Sequence, residues 1–368
     1  MNVTPFTIAI PDAALTDLRD RLRRTRWPDE INDDQWSWGT RRNVLRELVA
    51  YWIDSYDWRA QEAALNQLPH FRAEIGGLGV HFVHVRGSGP NPTPLLITHG
   101  WPGSFIEMRG LIPLLSSDFD LVIPSLPGYG FSDRPARPGF PPGGVAALWI
   151  ELMHGLGYQR FGLQGGDWGA MISASLAQQH PRSVIGLHLN FLSGSFPVSQ
   201  DASEAERAYF PARSGWVDAE GGYSHIQGTK PQTLAYALTD SPTGLAGWIL
   251  EKFRRWSDCN GDPFTAFSPD DLLTNISIYW LTETISSSIR IYRESRLSPF
   301  AISPGERITP PLGFAAFPKE IPSPPRDLLA RHFDLRRYTI MPRGGHFAAM
   351  EAPDLLAGDV RAFFQYLR

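Results

Sequence analysis

The spacing of hydrophobic and polar positions changes several times along the chain, and each change marks an element. Phe6, Ile8 and Ile10 alternate, then Pro11-Asp12 opens a run in which Leu15, Leu18 and Leu22 share one helical face. A second helix is predicted from Arg41 to Tyr56, where Val44, Leu48, Tyr51 and Trp52 cluster on one side. Two strand-like runs, Phe71 to Ile75 and Val80 to Arg86, flank Gly76-Gly77-Leu78-Gly79, which is a hairpin signal. Residues 1–90 carry too little apolar surface to stand alone, so they read as an extension packed on the rest of the chain.

From Pro94 onward, short apolar strands alternate with helices. Leu95 to Thr98 ends at His99-Gly100-Trp101-Pro102-Gly103-Ser104, and Phe119 to Ile123 ends at Ser125-Leu126-Pro127-Gly128-Tyr129-Gly130. A helical run (Val145 to Leu156) and a further strand (Val184 to Leu189) continue the pattern. Such alternation predicts an α/β fold with a mostly parallel sheet flanked by helices, whose ligands bind at the carboxyl ends of the strands. Between 196 and 301 the alternation stops. Ser241-Pro242 opens a helix bearing Leu245, Ile249, Phe253 and Trp256, and Ser268-Pro269-Asp270-Asp271 opens one expected to reach Tyr292. This span reads as a helical cap. Strands resume at Gly313 to Phe317 and Arg337 to Met341, before a closing helix from Pro353 to Leu367. The expected division is an extension at 1–90, core at 91–195, cap at 196–301 and core again at 302–368.

One stretch organises the rest: Phe161-Gly162-Leu163-Gln164-Gly165-Gly166-Asp167-Trp168-Gly169-Ala170. A strand runs into Gly-x-Asp-x-Gly, and then comes a helical run, Met171 to Gln179. Small residues two before and two after a reactive side chain are what a sharp strand-to-helix turn requires. Glycines four apart occur around Pro141, Gln164 and Asp167, never around a serine. The nucleophile is therefore predicted to be an aspartate.

Composition narrows the setting. Hydrophobic residues make up 42% and charged residues 20%, the balance of an ordinary globular protein. A net charge of −4 leaves no footprint for nucleic acid. Cys259 stands alone, so no internal disulfide is expected, and no Cys/His spacing suggests a metal site. Asp12, Asp17 and Asp20 near the start, with no long apolar run, predict neither signal peptide nor membrane anchor. The expectation is a soluble, cytoplasmic enzyme without metal, cofactor, nucleic-acid or membrane partner, and with a homo-oligomer left open.

An aspartate is ionised at neutral pH and attacks without a base. Attack on a carbonyl would give a labile anhydride, so its electrophile is a saturated carbon and its product an alkyl ester. The bland alternative is a helix N-cap. His346, between the last strand and the last helix in Arg343-Gly344-Gly345-His346-Phe347, is placed to deprotonate the water that cleaves the ester. Glu320 best fits the acid that orients it; Asp327 and Asp201 compete. The backbone N–H groups of Trp101 and Trp168 are the expected oxyanion hole. Trp101, Trp168 and Phe347 are the expected lining of an apolar substrate pocket.

The leaving group decides the reaction. A halide needs only N–H donors, whereas an epoxide oxygen needs an acid, for which buried tyrosines suit. The cap offers Tyr209, Tyr223, Tyr236, Tyr279 and Tyr292, and the residues alone do not choose among them. A silent ligand-binding protein on the same fold would show a broken constellation, and here every member is present.

The chain resembles the microsomal-type epoxide hydrolases of the α/β-hydrolase superfamily over nearly its whole length. The resemblance rests on Pro5-Phe6 through Thr25-Arg26-Trp27-Pro28, the run Val80 to Arg86, His99-Gly100-Trp101-Pro102-Gly103, Gly165-Gly166-Asp167-Trp168-Gly169 and Arg343-Gly344-Gly345-His346-Phe347. It implies hydrolysis of an apolar epoxide to a vicinal diol in two covalent steps, without cofactor or metal. It also implies that Tyr223, in Gly222-Tyr223-Ser224-His225, and Tyr292, in Arg290-Ile291-Tyr292-Arg293, open the ring, and it favours Glu320 as the relay acid. A haloalkane or haloacid dehalogenase is the alternative on the same scaffold. Membrane-bound relatives begin with an apolar anchor; this chain starts at the amino-terminal segment, which again implies a soluble form.

Overall fold

The computed structural model describes residues 1–31, 36–197 and 199–367. Its strands are β1 Val3–Pro5, β2 His70–Ile75, β3 Leu78–Val85, β4 Thr93–Thr98, β5 Phe119–Pro124, β6 Phe161–Gly165, β7 Val184–Leu189, β8 Ile308–Ala316 and β9 Phe333–Ile340. They form one sheet in the order β1-β2-β3-β5-β4-β6-β7-β8-β9. From β5 to β9 every pairing is parallel, while β1, β2 and β3 add an antiparallel edge. β5 is buried at every position, and β4 and β6 nearly so, because helices cover both faces of the parallel part. β6 lies between β4 and β7, so residues beyond its carboxyl end meet the loops from both sides.

The hairpin turn is shorter than its glycine cluster suggests. Gly76 (φ 58°) and Gly77 (φ 78°) alone make it, with Leu78 and Gly79 already in the strand. Positive φ at both central residues defines the type I′ turn, whose twist matches that of the paired strands. The alternation of Phe6, Ile8 and Ile10 is not a strand; β1 ends at Pro5. The Ile8 and Ile10 N–H groups donate instead to the side chains of Asn66 and Glu62, in and just beyond an unpredicted helix, Trp58–Leu65. The extension's strands therefore join the core sheet, while its helices Asp12–Arg23 and Arg42–Asp54 pack on the cap helix Pro242–Trp256.

The cap is helical, with additional helices at Glu204–Glu220, Gly222–Thr229 and Pro231–Asp240. Ser268 caps its helix as expected, accepting from the Asp271 N–H at 3.1 Å. That helix does not reach Tyr292. It ends at Leu281, and two short helices come after it, Ile285–Ser288 and Arg290–Leu297, the second carrying Tyr292. The break has a local cause. The Thr282 hydroxyl bonds back to the Ile278 carbonyl and meets the Thr284 hydroxyl, and Glu283 adopts φ 54°, which no right-handed helix accommodates.

Candidate active site

Asp167 is the first residue of the helix Asp167–Gln179, directly after β6, with Gly166 rather than Asp167 as the N-cap. Its φ of 45° is left-handed, a conformation that costs a non-glycine residue roughly 1–2 kcal/mol. The flanking glycines explain how the chain tolerates so sharp a turn. A Cβ at Gly165 would stand 2.5 Å from the Gly169 carbonyl carbon, and one at Gly169 would stand 1.9 Å from the Thr98 carbonyl oxygen. Gly169→Ala is expected to lower stability by about 3 kcal/mol, the upper part of the overpacking range, because the obstacle is backbone on a neighbouring strand. Chemical denaturation checks this, and a loss below about 1 kcal/mol would show that the turn can widen.

The carboxylate is turned away from its own helix. Asp167 Oδ1 accepts the Trp101 N–H at 2.8 Å. Gly100 leaves room for this contact, since a Cβ there would lie 2.2 Å from Oδ1. Trp168 sits in the helix's first turn, where N–H groups lack partners within the helix. The loop that carries Trp101 is held from two directions. His99 donates from Nδ1 to the Gly100 carbonyl and accepts the Leu126 N–H at Nε2, and burial pushes its pKa down to about 4, so it stays neutral. From the cap, Asn275 donates to the Pro102 carbonyl at 2.7 Å and Tyr279 to the Gly103 carbonyl at 2.5 Å.

His346 completes the core side. Its Nε2 lies 3.4 Å from Asp167 Oδ2, and its Nδ1 meets Glu320 Oε1 at 2.6 Å. Burial alone would favour the neutral ring, but Glu320 and Asp167 together outweigh it and hold the imidazole's pKa well above its ordinary value. Of the competing acids, Asp201 pairs with Arg331, and Asp327 is exposed on the first turn of another helix. The histidine loop is pinned to the cap. The His346 N–H donates to the Trp256 carbonyl, and Gly345 has no space for a Cβ, which would lie 2.6 Å from the same oxygen. Glu351 accepts from the N–H groups of Asp258 and Phe347. Phe347 stacks on Phe253 at 4.0 Å, joining the loop to the cap helix.

The five cap tyrosines now separate. Tyr236 is exposed, Tyr209 packs on Phe210, and Tyr279 uses its hydroxyl on the Gly103 carbonyl. Tyr223 and Tyr292 meet edge to face at 5.8 Å. Tyr223 stacks on Trp101 at 5.6 Å, and Tyr292 stands edge-on to Trp168 at 4.7 Å. Burial pushes both phenols far up, and the Asp167 charge adds to it, so both keep their protons. Sequence reasoning missed Asn275, Glu351 and Glu107, none of which stands in a motif with an evident chemical reading. Among the described residues no group of acidic, histidine or cysteine side chains could hold a metal ion, and no helix is long and apolar enough to cross a membrane.

A nucleophile on a glycine-flanked turn after a central parallel strand, with its acid and histidine later in chain order, defines an α/β hydrolase. Residues 93–220 match the family described as alpha/beta hydrolase fold, and residues 3–108 match Epoxide hydrolase N terminus. Epoxide hydrolase 1 of Sus scrofa is 39% identical over 100% of this chain and 89% of its own length. A protein of Stigmatella aurantiaca (strain DW4/3-1), provisionally named an epoxide hydrolase, is 44% identical over 100% of this chain and 86% of its own. The solved structure of Aspergillus niger epoxide hydrolase superimposes with a TM-score of 0.89 at 30% identity, covering 100% of this chain and 97% of that one. The chain belongs to the epoxide hydrolase family.

Proposed function

We propose that the protein hydrolyses an apolar epoxide to a vicinal diol through an alkyl ester of Asp167. One observation carries the reading. A carboxylate anchored by a backbone N–H sits between a buried His–Glu pair and two buried, protonated phenols. In the first step Asp167 attacks a ring carbon, the C–O bond breaks, and Tyr223 or Tyr292 gives the departing oxygen its proton. In the second step water loses a proton to His346 and attacks the ester carbon, with the Trp101 and Trp168 N–H groups holding the oxyanion. The tetrahedral species collapses, the second hydroxyl leaves with the proton from His346, and the proton left on the Asp167 carboxyl returns to the phenolate.

Electrostatics supports the order of these steps. Esterification removes the Asp167 charge, one of the two that hold a proton on His346, so the ring moves toward the neutral base that water requires. Trp101, Trp168 and Phe347 give the site its apolar walls in this reading, which favours an apolar epoxide. A dehalogenase would have no use for paired phenols beside the nucleophile, and the relatives above are named as epoxide hydrolases.

The test is a single turnover in isotopically labelled water with enzyme in excess over styrene oxide. The expected first diol takes its added oxygen from Asp167 and carries no label, while the label enters the enzyme carboxylate. Label in the first diol would falsify the covalent route.

A further inference from the structure

A cavity of about 20 Å³ lies against Asp167, with room for one water molecule. Glu107, Gln164, Asn190, Asp167 and His346 border it, and no residue between 196 and 301 is among its lining. It therefore opens on the core side of the carboxylate, whereas Tyr223 and Tyr292 approach from the cap. Two of the atoms on its lining residues are buried without a hydrogen-bond partner among the described residues, Gln164 Oε1 and His346 Nε2. Gln164 is itself fixed, donating from Nε2 to Asn190 Oδ1 at 3.0 Å.

Glu107 is the member that the chemistry above does not use. It lies on the 3-10 turn Phe105–Gly110, just past the loop that carries Trp101, and its side chain is buried. No lysine, arginine or histidine pairs with it among the described residues. It folds beneath Gly103, where a Cβ would fall 1.7 Å from Glu107 Oε1, so that glycine makes room for the carboxyl. Burial pushes its pKa up to about 8, opposed by His346 and reinforced by Asp167. At neutral pH the group thus offers a hydroxyl donor and a carbonyl acceptor. A carboxyl buried without a cation is unfavourable for folding, which calls for a function at that position.

We infer that this cavity seats the hydrolytic water and that Glu107 positions it between the Asp167 carboxyl carbon and His346 Nε2. The inference rests on the ester reading given above. Attack comes from the core side: the water oxygen bonds to the carboxyl carbon and one of its protons passes to His346. The bond from that carbon to the alkyl oxygen then breaks, and the alkyl oxygen takes the proton back. Glu107 gains and loses nothing over the cycle; it fixes the direction from which the water comes. Gln164 Oε1 supplies a second acceptor. Such placement matters because a displacement of about 1 Å can cost on the order of a hundredfold in rate.

The experiment compares the wild type with Glu107→Leu and Glu107→Gln under single-turnover conditions with styrene oxide. Rapid acid quenching and intact-protein mass spectrometry track the ester as it forms and decays. In Glu107→Leu, ester formation is expected to stay within about threefold of wild type while ester hydrolysis slows about a hundredfold. Glu107→Gln keeps a carbonyl and an N–H donor in the cavity, and its hydrolysis rate is expected to fall between the other two. If Glu107→Leu does not fold, a selective slowing of hydrolysis in Glu107→Gln carries the same meaning. Equal hydrolysis rates in the proteins that fold overturn the proposal, and so does a parallel loss of both steps, the mark of a purely structural role. An ester that forms in the wild type but decays normally in the variants removes Glu107 alone. The absence of any wild-type ester removes the covalent reading and this inference with it.

Discussion

Asp167→Ala is expected to lower turnover of an epoxide by a factor on the order of 10⁴ or more while the protein stays folded. The two halves of that statement have separate physical grounds. No other carboxylate replaces Asp167 at the turn: Glu320 is committed to His346 at 2.6 Å, and Glu107 is held protonated. Without the nucleophile no ester forms, and the remaining groups offer water only weak assistance. The cost to the fold is smaller. Alanine inherits the left-handed φ, an expense of roughly 1–2 kcal/mol already present in the native chain. It adds the loss of one hydrogen bond to the Trp101 N–H, on the order of 1–3 kcal/mol for a charged acceptor. A loss of this size still leaves part of a stability of about 5–15 kcal/mol, so the fold survives. Steady-state rates and a denaturation curve on the same preparation decide the matter. A folded Asp167→Ala that keeps a tenth of the wild-type rate removes Asp167 as nucleophile.

The parts of this molecule that read clearly from sequence are those in which local chemistry leaves few alternatives. Gly165 and Gly169 are required by backbone contacts within 2.5 Å, and so the turn was visible as a pattern of glycines. Ser268 and Ser241 each cap a helix with the expected N–H bond, and the parallel strands announced themselves as apolar runs. What the sequence hid depends on distant partners. The segment around Ile8 looked like a strand because its alternation is real, but its N–H groups bond to side chains more than fifty residues away. The helix from Pro269 was read too long because Thr282 and Thr284 are acceptable within a helix until their hydroxyls find each other. Choosing Tyr223 and Tyr292 from five cap tyrosines needed a family resemblance. In space the choice comes from which rings stand against Trp101 and Trp168. Glu107 belongs to the same class, because nothing local distinguishes a buried carboxyl under a glycine from a surface one.

Removing both phenolic hydroxyls, with Tyr223→Phe and Tyr292→Phe combined, is expected to slow ester formation by about 10³–10⁴, the upper part of what a positioned acid supplies. The rings remain, so the stacking on Trp101 and the edge contact with Trp168 survive, and stability should change little. What is lost is specific. An alkoxide is a poor leaving group, and here the only groups addressed to it are two phenols, held protonated by burial and by the Asp167 charge. Each single variant leaves one phenol, and rings 5.8 Å apart can share a single oxygen. A single substitution should therefore cost on the order of tenfold to a hundredfold, and the double loss should exceed the product of the two, since each tyrosine covers for the other. The step affected also distinguishes this from damage elsewhere. Ester formation should fall in the rapid-quench assay, whereas an ester once formed should decay at nearly the wild-type rate, because its hydrolysis runs through His346, Glu320 and the backbone N–H groups. A double variant that forms ester from an epoxide within tenfold of wild type leaves the ring oxygen without its acid in this scheme. Release of halide from a haloalkane by that same variant would move the reaction to the dehalogenase side of the scaffold.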